Sequence, residues 1–135
     1  MEDELEFLLR RKALELARRE LFKRPECPKG VVHVDRAEFE ELLRRCDVVL
    51  ADFWAEWCGP CRAVEPFVEE IARKYTPRIA VVKVNVDENG DLAFEHGVMS
   101  IPTLILFHRG EEYRRFVGFY PGLMRELETA IRSLL

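Results

Sequence analysis

The chain has 135 residues, of which 34 % are charged and 48 % are hydrophobic. This length corresponds to one domain with at most a short appendage, and it is sufficient to bury a core without metals or disulfides. The formal net charge of −4, with the cationic residues spread along the chain, argues against nucleic-acid binding driven by charge. Four cysteines are too few for a disulfide-rich scaffold.

The composition is rich in charged side chains and poor in amides, with 16 Arg, 19 Glu, 2 Asn and no Gln. Such a composition is typical of heat-adapted proteins. Intracellular proteins of hyperthermophiles keep disulfides, so a cytoplasmic location would not exclude them here. Residues 1–24 are studded with Glu and Arg where a signal peptide would be apolar, and no apolar run approaches the roughly 20 residues that span a bilayer. We therefore expect a cytoplasmic protein without membrane contact.

Residues 2–24 are predicted to form a helix, because they lack Gly and Pro and are rich in strong helix formers. The apolar side chains form two lines on nearly opposite sides, where a surface helix needs only one. The lines are Leu5, Leu9 and Leu16, and Phe7, Leu14 and Leu21. Pro25, Pro28 and Gly30 then end the helix. We expect an extension over residues 1–30, a domain over residues 31–135, and a homodimer formed through the helix.

From Val31 onward, short apolar segments alternate with helical ones. The predicted strands are Val31–Val34, Val48–Ala55, Ile79–Val86, Thr103–His108 and Glu112–Gly118. The predicted helices begin at Asp35, Gly59, Asn89 and Pro121 and run to about Arg45, Tyr75, His96 and Leu134. Strands separated by helices pair in parallel, and a hairpin at Arg109-Gly110 adds antiparallel strands. The prediction is an α/β fold with a central mixed five-stranded sheet flanked by helices.

A Cys-x-x-Cys motif, Cys58-Gly59-Pro60-Cys61, lies where a buried strand gives way to a helix. The helix N-terminus directs unpaired N–H groups and positive dipole toward the first sulfur, and both stabilise a thiolate. The thiolate is the attacking species in disulfide exchange. Cys61 lies one turn further along and is expected to be the more buried of the two, as suits a resolving thiol.

Two other interpretations of this pair are a half of a zinc site and a purely structural disulfide. Structural zinc needs four ligands, and Cys27, Cys46, His33, His96 and His108 offer no second pair at ligand spacing. A Cys-x-x-Cys motif near a βαβ pattern favours redox chemistry, so no metal is expected.

The segment Asp52–Cys61 resembles the active-site signature of the thioredoxin family. Val84–Asp87 and Ile101–Thr103 are similar to two further segments of that family. The resemblance covers about residues 31–135 and implies the thioredoxin fold, with residues 1–30 as an additional helical extension.

The resemblance implies a role for each matching residue at the centre. Cys58 corresponds to the nucleophile and Cys61 to the resolving thiol. Asp52 corresponds to a buried acid that exchanges a proton with Cys61, and desolvation is expected to raise the pKa of such a carboxyl. Lys83 corresponds to a lysine near this acid that tunes it, with an ordinary surface lysine as the alternative.

The resemblance also implies that Pro102 follows a cis peptide bond beside the dithiol. This proline offers no N–H and keeps metal away from the cysteines. The backbone of Ile101 then pairs with an extended substrate segment. The residues implied to form the apolar rim that docks target proteins are Trp57, Gly59, Pro60, Ile101 and Gly118.

Two features depart from the family pattern: the residues before Ile101, and the N-terminal helix with its Cys27. Met99-Ser100 precede Ile101 where relatives often carry other residues, which would change the preference for partners. Cys27 lies in the linker as an idle thiol, a partner of Cys46 or a cross-link between two chains. Cys46 is expected to be a small buried side chain at the end of a helix.

The predicted function is reduction of protein disulfides by dithiol–disulfide exchange through Cys58 and Cys61, without a bound cofactor. A reductase of the thioredoxin reductase type would supply electrons, and disulfide-containing proteins would receive them. The alternatives are an oxidase or isomerase with the same fold, and a non-catalytic binding or chaperone module. An intact dithiol disfavours the last, because binding alone needs neither sulfur.

Overall fold

The computed structural model describes residues 3–22 and 27–135. Ten helices and strands follow one another there. They are α1 (Glu4–Phe22), β1 (Val31–His33), α2 (Arg36–Arg45), β2 (Val48–Trp54), α3 (Gly59–Tyr75), β3 (Ala80–Asn85), α4 (Gly90–Glu95), β4 (Thr103–His108), β5 (Glu111–Val117) and α5 (Leu123–Leu134). The predicted elements are all present, with ends that differ by one or two residues, as fraying helix and strand termini usually do.

The five strands form one mixed sheet in the order β1-β3-β2-β4-β5. Strands β1, β3 and β2 are parallel, and β4 and β5 are antiparallel to their neighbours. The predicted fold is therefore confirmed. In the central strand, Asp52 lies opposite Lys83 on β3 and opposite Leu104 on β4. This register brings two ionisable residues of the predicted site onto adjacent strands.

Helices cover both faces of the sheet, and alternation along each strand sorts the side chains between them. On one face, Val48 and Leu50 of β2 pack with α3 and α5. On the other face, Val49 and Phe53 pack with α2 and α4. Asp52 has the parity of Val48 and Leu50, so it points toward the face covered by α3. A strand buried on both faces explains the near-continuous apolar sequence of β2.

Helix α2 shows how local sequence sets an element. Asp35 accepts a hydrogen bond from the Glu38 amide at 2.9 Å, and Glu38 accepts one from the Asp35 amide at 3.3 Å. This reciprocal capping box satisfies two amides at the helix start. It begins the helix at the position that the sequence predicts.

Helix α1 precedes the sheet and begins at a cap that Asp3 supplies, accepting a hydrogen bond from the Glu6 amide at 2.7 Å. Residues 3–19 are all exposed. The predicted outer positions 2 and 23–24, as well as Pro25, lie outside the described residues, and so does the side chain of Leu21. In the part of the chain that the structure describes, no helix is long and apolar enough to cross a membrane.

Cys27 and Cys46 form a disulfide with a Cα–Cα distance of 5.9 Å. Cys46 caps the C-terminal end of α2 and is buried, as expected, while Cys27 is half-buried against the same core. Of the three alternatives for Cys27, the structure shows the bond to Cys46, and the interpretation as an idle thiol is wrong. The bond links Cys27, which precedes β1, to the end of α2.

Replacing Cys27 tests how much this cross-link stabilises the domain. The two cysteines are 19 residues apart, and closing a loop of this size stabilises a fold by about 3 kcal/mol. We expect Cys27→Ser to lower the free energy of unfolding of the oxidised protein by about that amount, measured by urea denaturation. In reducing buffer the variant and the wild type should unfold at the same urea concentration. Equal stability of the two oxidised proteins would contradict a stabilising role.

Candidate active site

Cys58 and Cys61 form a disulfide at the N-terminus of α3, with a Cα–Cα distance of 5.3 Å. Cys58 is the N-cap of the helix, and its sulfur accepts a hydrogen bond from the Cys61 amide at 3.2 Å. Pro60 occupies the first turn, where a missing N–H breaks no helical hydrogen bond. The amide hydrogen bond and the helix dipole both favour negative charge on the Cys58 sulfur once the disulfide is reduced.

The two cysteines are almost equally covered, with exposures of 4 % for Cys58 and 6 % for Cys61. The expectation that Cys61 is the more buried is therefore wrong for this oxidised form. Both pack in one small cluster with Ala55, and Ile101 and Trp54 lie against it. The two cysteines therefore differ in their position at the helix N-terminus and not in burial.

The rim beside the disulfide is built by three separate loops. The Ile101-Pro102 peptide bond is cis, and the Gly118 amide donates a hydrogen bond to the Pro102 carbonyl at 2.8 Å. Gly118 has φ +82°, a conformation that favours glycine. This hydrogen bond joins the start of β4 to the end of β5 next to the cysteines, so the structure brings together residues that are far apart in sequence.

Trp57 stands at the same rim with 71 % of its surface exposed. Its indole Nε1 donates a hydrogen bond to Asp87 Oδ2 at 2.9 Å, which fixes the orientation of the ring. Gly59 and Pro60 are also exposed. The sequence does not identify Asp87 as a partner of Trp57, although the Val84–Asp87 segment itself resembles the family; a contact across 30 residues leaves no local signal.

Asp52 is 2 % exposed, and its Oδ1 atom has no hydrogen-bond partner among the described residues. Burial raises the pKa of Asp52 to about 7, the positive charge of Lys83 opposes this rise, and the negative charge of Glu65 adds to it. A buried carboxyl that titrates near neutral pH is suited to accept and return a proton. The direction of the shift agrees with the expectation from the sequence.

Lys83 is buried, with an exposure of 7 %, so the alternative of an ordinary surface lysine is wrong. Its Nζ lies 4.2 Å from the centre of the Trp54 ring, a cation–π distance. It also lies 3.4 Å from Glu65 Oε1. The sequence interpretation does not single out Glu65; its position one helical turn after Cys61 is the available signal.

A cavity of about 210 Å³ lies beside Cys61. Its lining consists of Trp54, Ala55, Glu56, Cys61, Arg62, Glu65 and Lys83. This volume has room for several water molecules, each of which occupies about 30 Å³ in the liquid. Within residues 3–22 and 27–135, no group of three or more His, Cys, Asp or Glu side chains is placed to hold a metal ion.

Known proteins are similar to this chain in sequence, and a solved structure is similar to it in fold. The chain is 43 % identical over 94 residues to "Thioredoxin" of Alicyclobacillus acidocaldarius, which covers 70 % of this chain and 90 % of that protein. It is 50 % identical over 82 residues to "Thioredoxin 1" of Synechococcus elongatus, which covers 61 % of this chain and 77 % of that protein. A solved structure of a single-residue mutant of thioredoxin from Halobacterium salinarum superposes with a TM-score of 0.72 and 40 % identity, covering 80 % of this chain and 93 % of that one.

A family profile agrees with these individual relatives. The sequence profile described as "Thioredoxin" matches residues 30–131, which contain the whole sheet and the Cys58–Cys61 disulfide. Thioredoxins are protein-disulfide oxidoreductases that act through a redox-active cysteine pair and need no bound cofactor. The chain, with this cysteine pair at the start of α3, belongs to the thioredoxin family.

Proposed function

We propose that Cys58 is the nucleophile and Cys61 the resolving thiol of this thiol–disulfide oxidoreductase, and that its substrates are disulfides of other proteins. The observation that carries the assignment is the hydrogen bond from the Cys61 amide to the Cys58 sulfur at the N-cap of α3. The helix N-terminus stabilises charge on this sulfur and not on Cys61.

The exchange takes place in two steps. The Cys58 thiolate attacks one sulfur of the target disulfide, which forms a mixed disulfide and releases the other target sulfur as a thiolate. Cys61 then loses its proton and attacks the Cys58 sulfur. The Cys58–Cys61 disulfide forms, the bond between Cys58 and the target breaks, and the second target sulfur leaves as a thiolate. The target has gained two electrons, and the cysteine pair has lost two.

Asp52 is proposed to accept the Cys61 proton in the second step. It points toward the face covered by α3, which carries Cys61, and burial brings its pKa to about 7. A base with this pKa is partly unprotonated at neutral pH and still binds protons well. Lys83, opposite Asp52 on β3, tunes this affinity through its positive charge.

Target proteins are proposed to dock on the rim formed by Trp57, Gly59, Pro60, Ile101 and Gly118. The backbone of Ile101 is free to pair with an extended target segment, and Pro102 keeps metal ions away from the sulfurs. Met99, two residues before Ile101, is highly exposed. Because methionine is flexible and adapts to irregular apolar surfaces, it would widen the range of targets.

The electron donor is proposed to be a reductase of the thioredoxin reductase type, with which the family generally works, in the cytoplasm. A cytoplasmic protein of this kind would be found largely as the Cys58/Cys61 dithiol when cells are quenched with acid and its thiols are trapped. A fully oxidised pair in such a sample would contradict this location.

Heat adaptation is proposed from the charge-rich composition and from a surface network that links α3 with α5. Glu128 pairs with Lys74 at 2.8 Å and with Arg132 at 3.0 Å, while Glu70 pairs with Arg73 at 2.6 Å. Ion-pair networks of this kind are more effective at high temperature. We expect a thermal unfolding midpoint above the range of about 45–65 °C that is typical of mesophilic domains. A midpoint within that range would contradict heat adaptation.

Residues 1–30 are proposed to form an extension to the domain of residues 31–135, with α1 as the contact to a second copy of the chain. The large apolar side chains of residues 4–19 are exposed, among them Leu5, Leu9 and Leu16 on one side. An antiparallel pair that places Leu5 against Leu16 of the second copy covers this apolar line.

Substitution of single cysteines tests the assignment of nucleophile and resolving thiol. Cys58→Ser should reduce dithiothreitol-driven insulin reduction to the uncatalysed rate, because no thiolate attacks the substrate. Cys61→Ser should accumulate a mixed disulfide with insulin, visible by non-reducing electrophoresis. Cys27→Ser, the control, should keep turnover close to that of the wild type. Equal turnover of the wild type and Cys58→Ser would reject the mechanism.

The titration of Asp52 predicts a pH-dependent stability. Its pKa is about 7 in the fold and near 3.8 in the absence of burial, so the folded chain binds the proton more tightly and stability falls as pH rises from about 4 to 7. Asp52→Asn should gain stability over the wild type across this range, reaching on the order of 4 kcal/mol above pH 8. Urea denaturation of the oxidised proteins measures this.

The control for Asp52 is Asp91→Asn, the same change at an exposed position of α4. Its stability at pH 8 should lie close to that of the wild type, because this substitution removes no buried carboxylate. A pH-independent difference between Asp52→Asn and the wild type would show that the carboxyl does not titrate near neutrality in the fold.

The mass in solution tests the contact between copies. The wild type should sediment as a dimer, and Leu9→Glu should convert it to a monomer by placing charge in the covered line. Leu14→Glu, the same substitution on the opposite side of α1, should leave the mass unchanged. A monomeric wild type, or equal dissociation by both variants, would contradict the proposed contact.

A further inference from the structure

Glu65 lies one helical turn after Cys61 on α3, and it is the acidic partner of the buried Lys83. Residues four apart on a helix lie on the same side, so Glu65 follows Cys61 toward the sheet face that bears Asp52. Its side chain is half-exposed, whereas that of Lys83 is almost completely covered. Glu65 Oε1 lies 3.4 Å from Lys83 Nζ. The ion pair between Glu65 and Lys83 therefore links a half-exposed carboxylate on α3 to a buried ammonium on β3.

Two carboxylates lie near Lys83, those of Asp52 and Glu65. Asp52 is its direct neighbour across the parallel strands β2 and β3, and Glu65 reaches it from the helix above. The hydrogen bond that the structure shows from Lys83 Nζ goes to Glu65, while Oδ1 of Asp52 is left without a partner in the described part of the chain. The Lys83 ammonium is thus paired with the half-exposed carboxylate of Glu65.

The cavity beside Cys61 provides the place where these groups meet water. Glu65, Lys83 and Cys61 all line it, and its volume of about 210 Å³ accommodates water. A proton that leaves Cys61 during the second step of exchange has two destinations, the buried carboxylate of Asp52 and this cavity. The position of the Lys83 charge determines how favourable the first of these is.

We propose that Glu65 is a positioning residue of the exchange reaction: its carboxylate holds the Lys83 ammonium at the cavity, away from Asp52, and so strengthens Asp52 as the acceptor of the Cys61 proton. The inference rests on the proposed role of Asp52. Glu65 touches neither the sulfurs nor the target and acts through Lys83.

The groups that face Asp52 determine the direction in which neutralising Glu65 changes the pKa of Asp52. Lys83 faces it from β3, Cys61 and Glu65 face it from α3, and the neighbour on β4 is the apolar Leu104. Lys83 lowers the pKa of Asp52 and Glu65 raises it. Neutralising Glu65 removes the repulsion and also releases Lys83 toward Asp52. Both changes make Asp52 a weaker proton acceptor.

The experiment is a titration of the Asp52 carboxyl by ¹³C NMR in wild type and variants. We expect Glu65→Gln to move the midpoint to lower pH by on the order of one unit. Glu69→Gln, the same substitution at an exposed position further along α3, should leave the midpoint unchanged. In the background of Lys83→Met, Glu65→Gln should have a smaller effect, because only the direct repulsion between Glu65 and Asp52 is then removed.

Three results would overturn the proposal: an Asp52 midpoint in Glu65→Gln equal to that in Glu69→Gln, a shift to higher pH, or an undiminished shift in the Lys83→Met background. A second readout is the pH dependence of single-turnover reduction of a protein disulfide, whose acid limb should move with the Asp52 midpoint in Glu65→Gln. If this limb stays in place while the NMR midpoint moves, Glu65 controls Asp52 but Asp52 is not the acceptor, and the proposed role of Asp52 fails instead.

Discussion

The hydrogen bond from the Cys61 amide to the Cys58 sulfur is the contact on which the chemistry depends. It forms because α3 begins directly after Cys58, and a short loop connects the buried strand β2 to this helix. Apolar residues on both faces of β2 hold the strand at the centre of the sheet. Burial of the apolar core therefore stabilises the arrangement of β2 and α3 that places the Cys58 sulfur at a helix N-terminus.

The two disulfides occupy opposite ends of helices, and this difference separates their roles. Cys58 precedes α3, where the helix dipole stabilises a thiolate, whereas Cys46 ends α2, where the dipole opposes one. Cys46 is also embedded among apolar side chains, which disfavour charge. A thiolate must leave whenever a disulfide is reduced. The Cys58–Cys61 disulfide is therefore suited to exchange, and the Cys27–Cys46 disulfide to cross-linking.

The ionisable residues behind the cysteines form a graded series from interior to surface. Asp52 is buried, Lys83 is nearly so, and Glu65 reaches solvent. A lone buried carboxyl is costly when charged. Burial therefore raises the pKa of Asp52 to about 7 against the opposing charge of Lys83, and the negative charge of Glu65 adds to the rise. Within the described residues, Oδ1 of Asp52 has no hydrogen-bond partner.

The order of elements, the sheet and the position of the Cys58–Cys61 pair could be predicted from the amino-acid sequence, because periodicity, the capping box at Asp35 and the cysteine spacing are local properties of the chain. Three contacts became evident in the folded chain: the Cys27–Cys46 disulfide, the hydrogen bond from Trp57 to Asp87, and the ion pair between Lys83 and Glu65. The tertiary structure also showed both active-site cysteines to be equally covered. These contacts join residues on different elements, and their partners are set by how strands and helices pack, which no local pattern encodes.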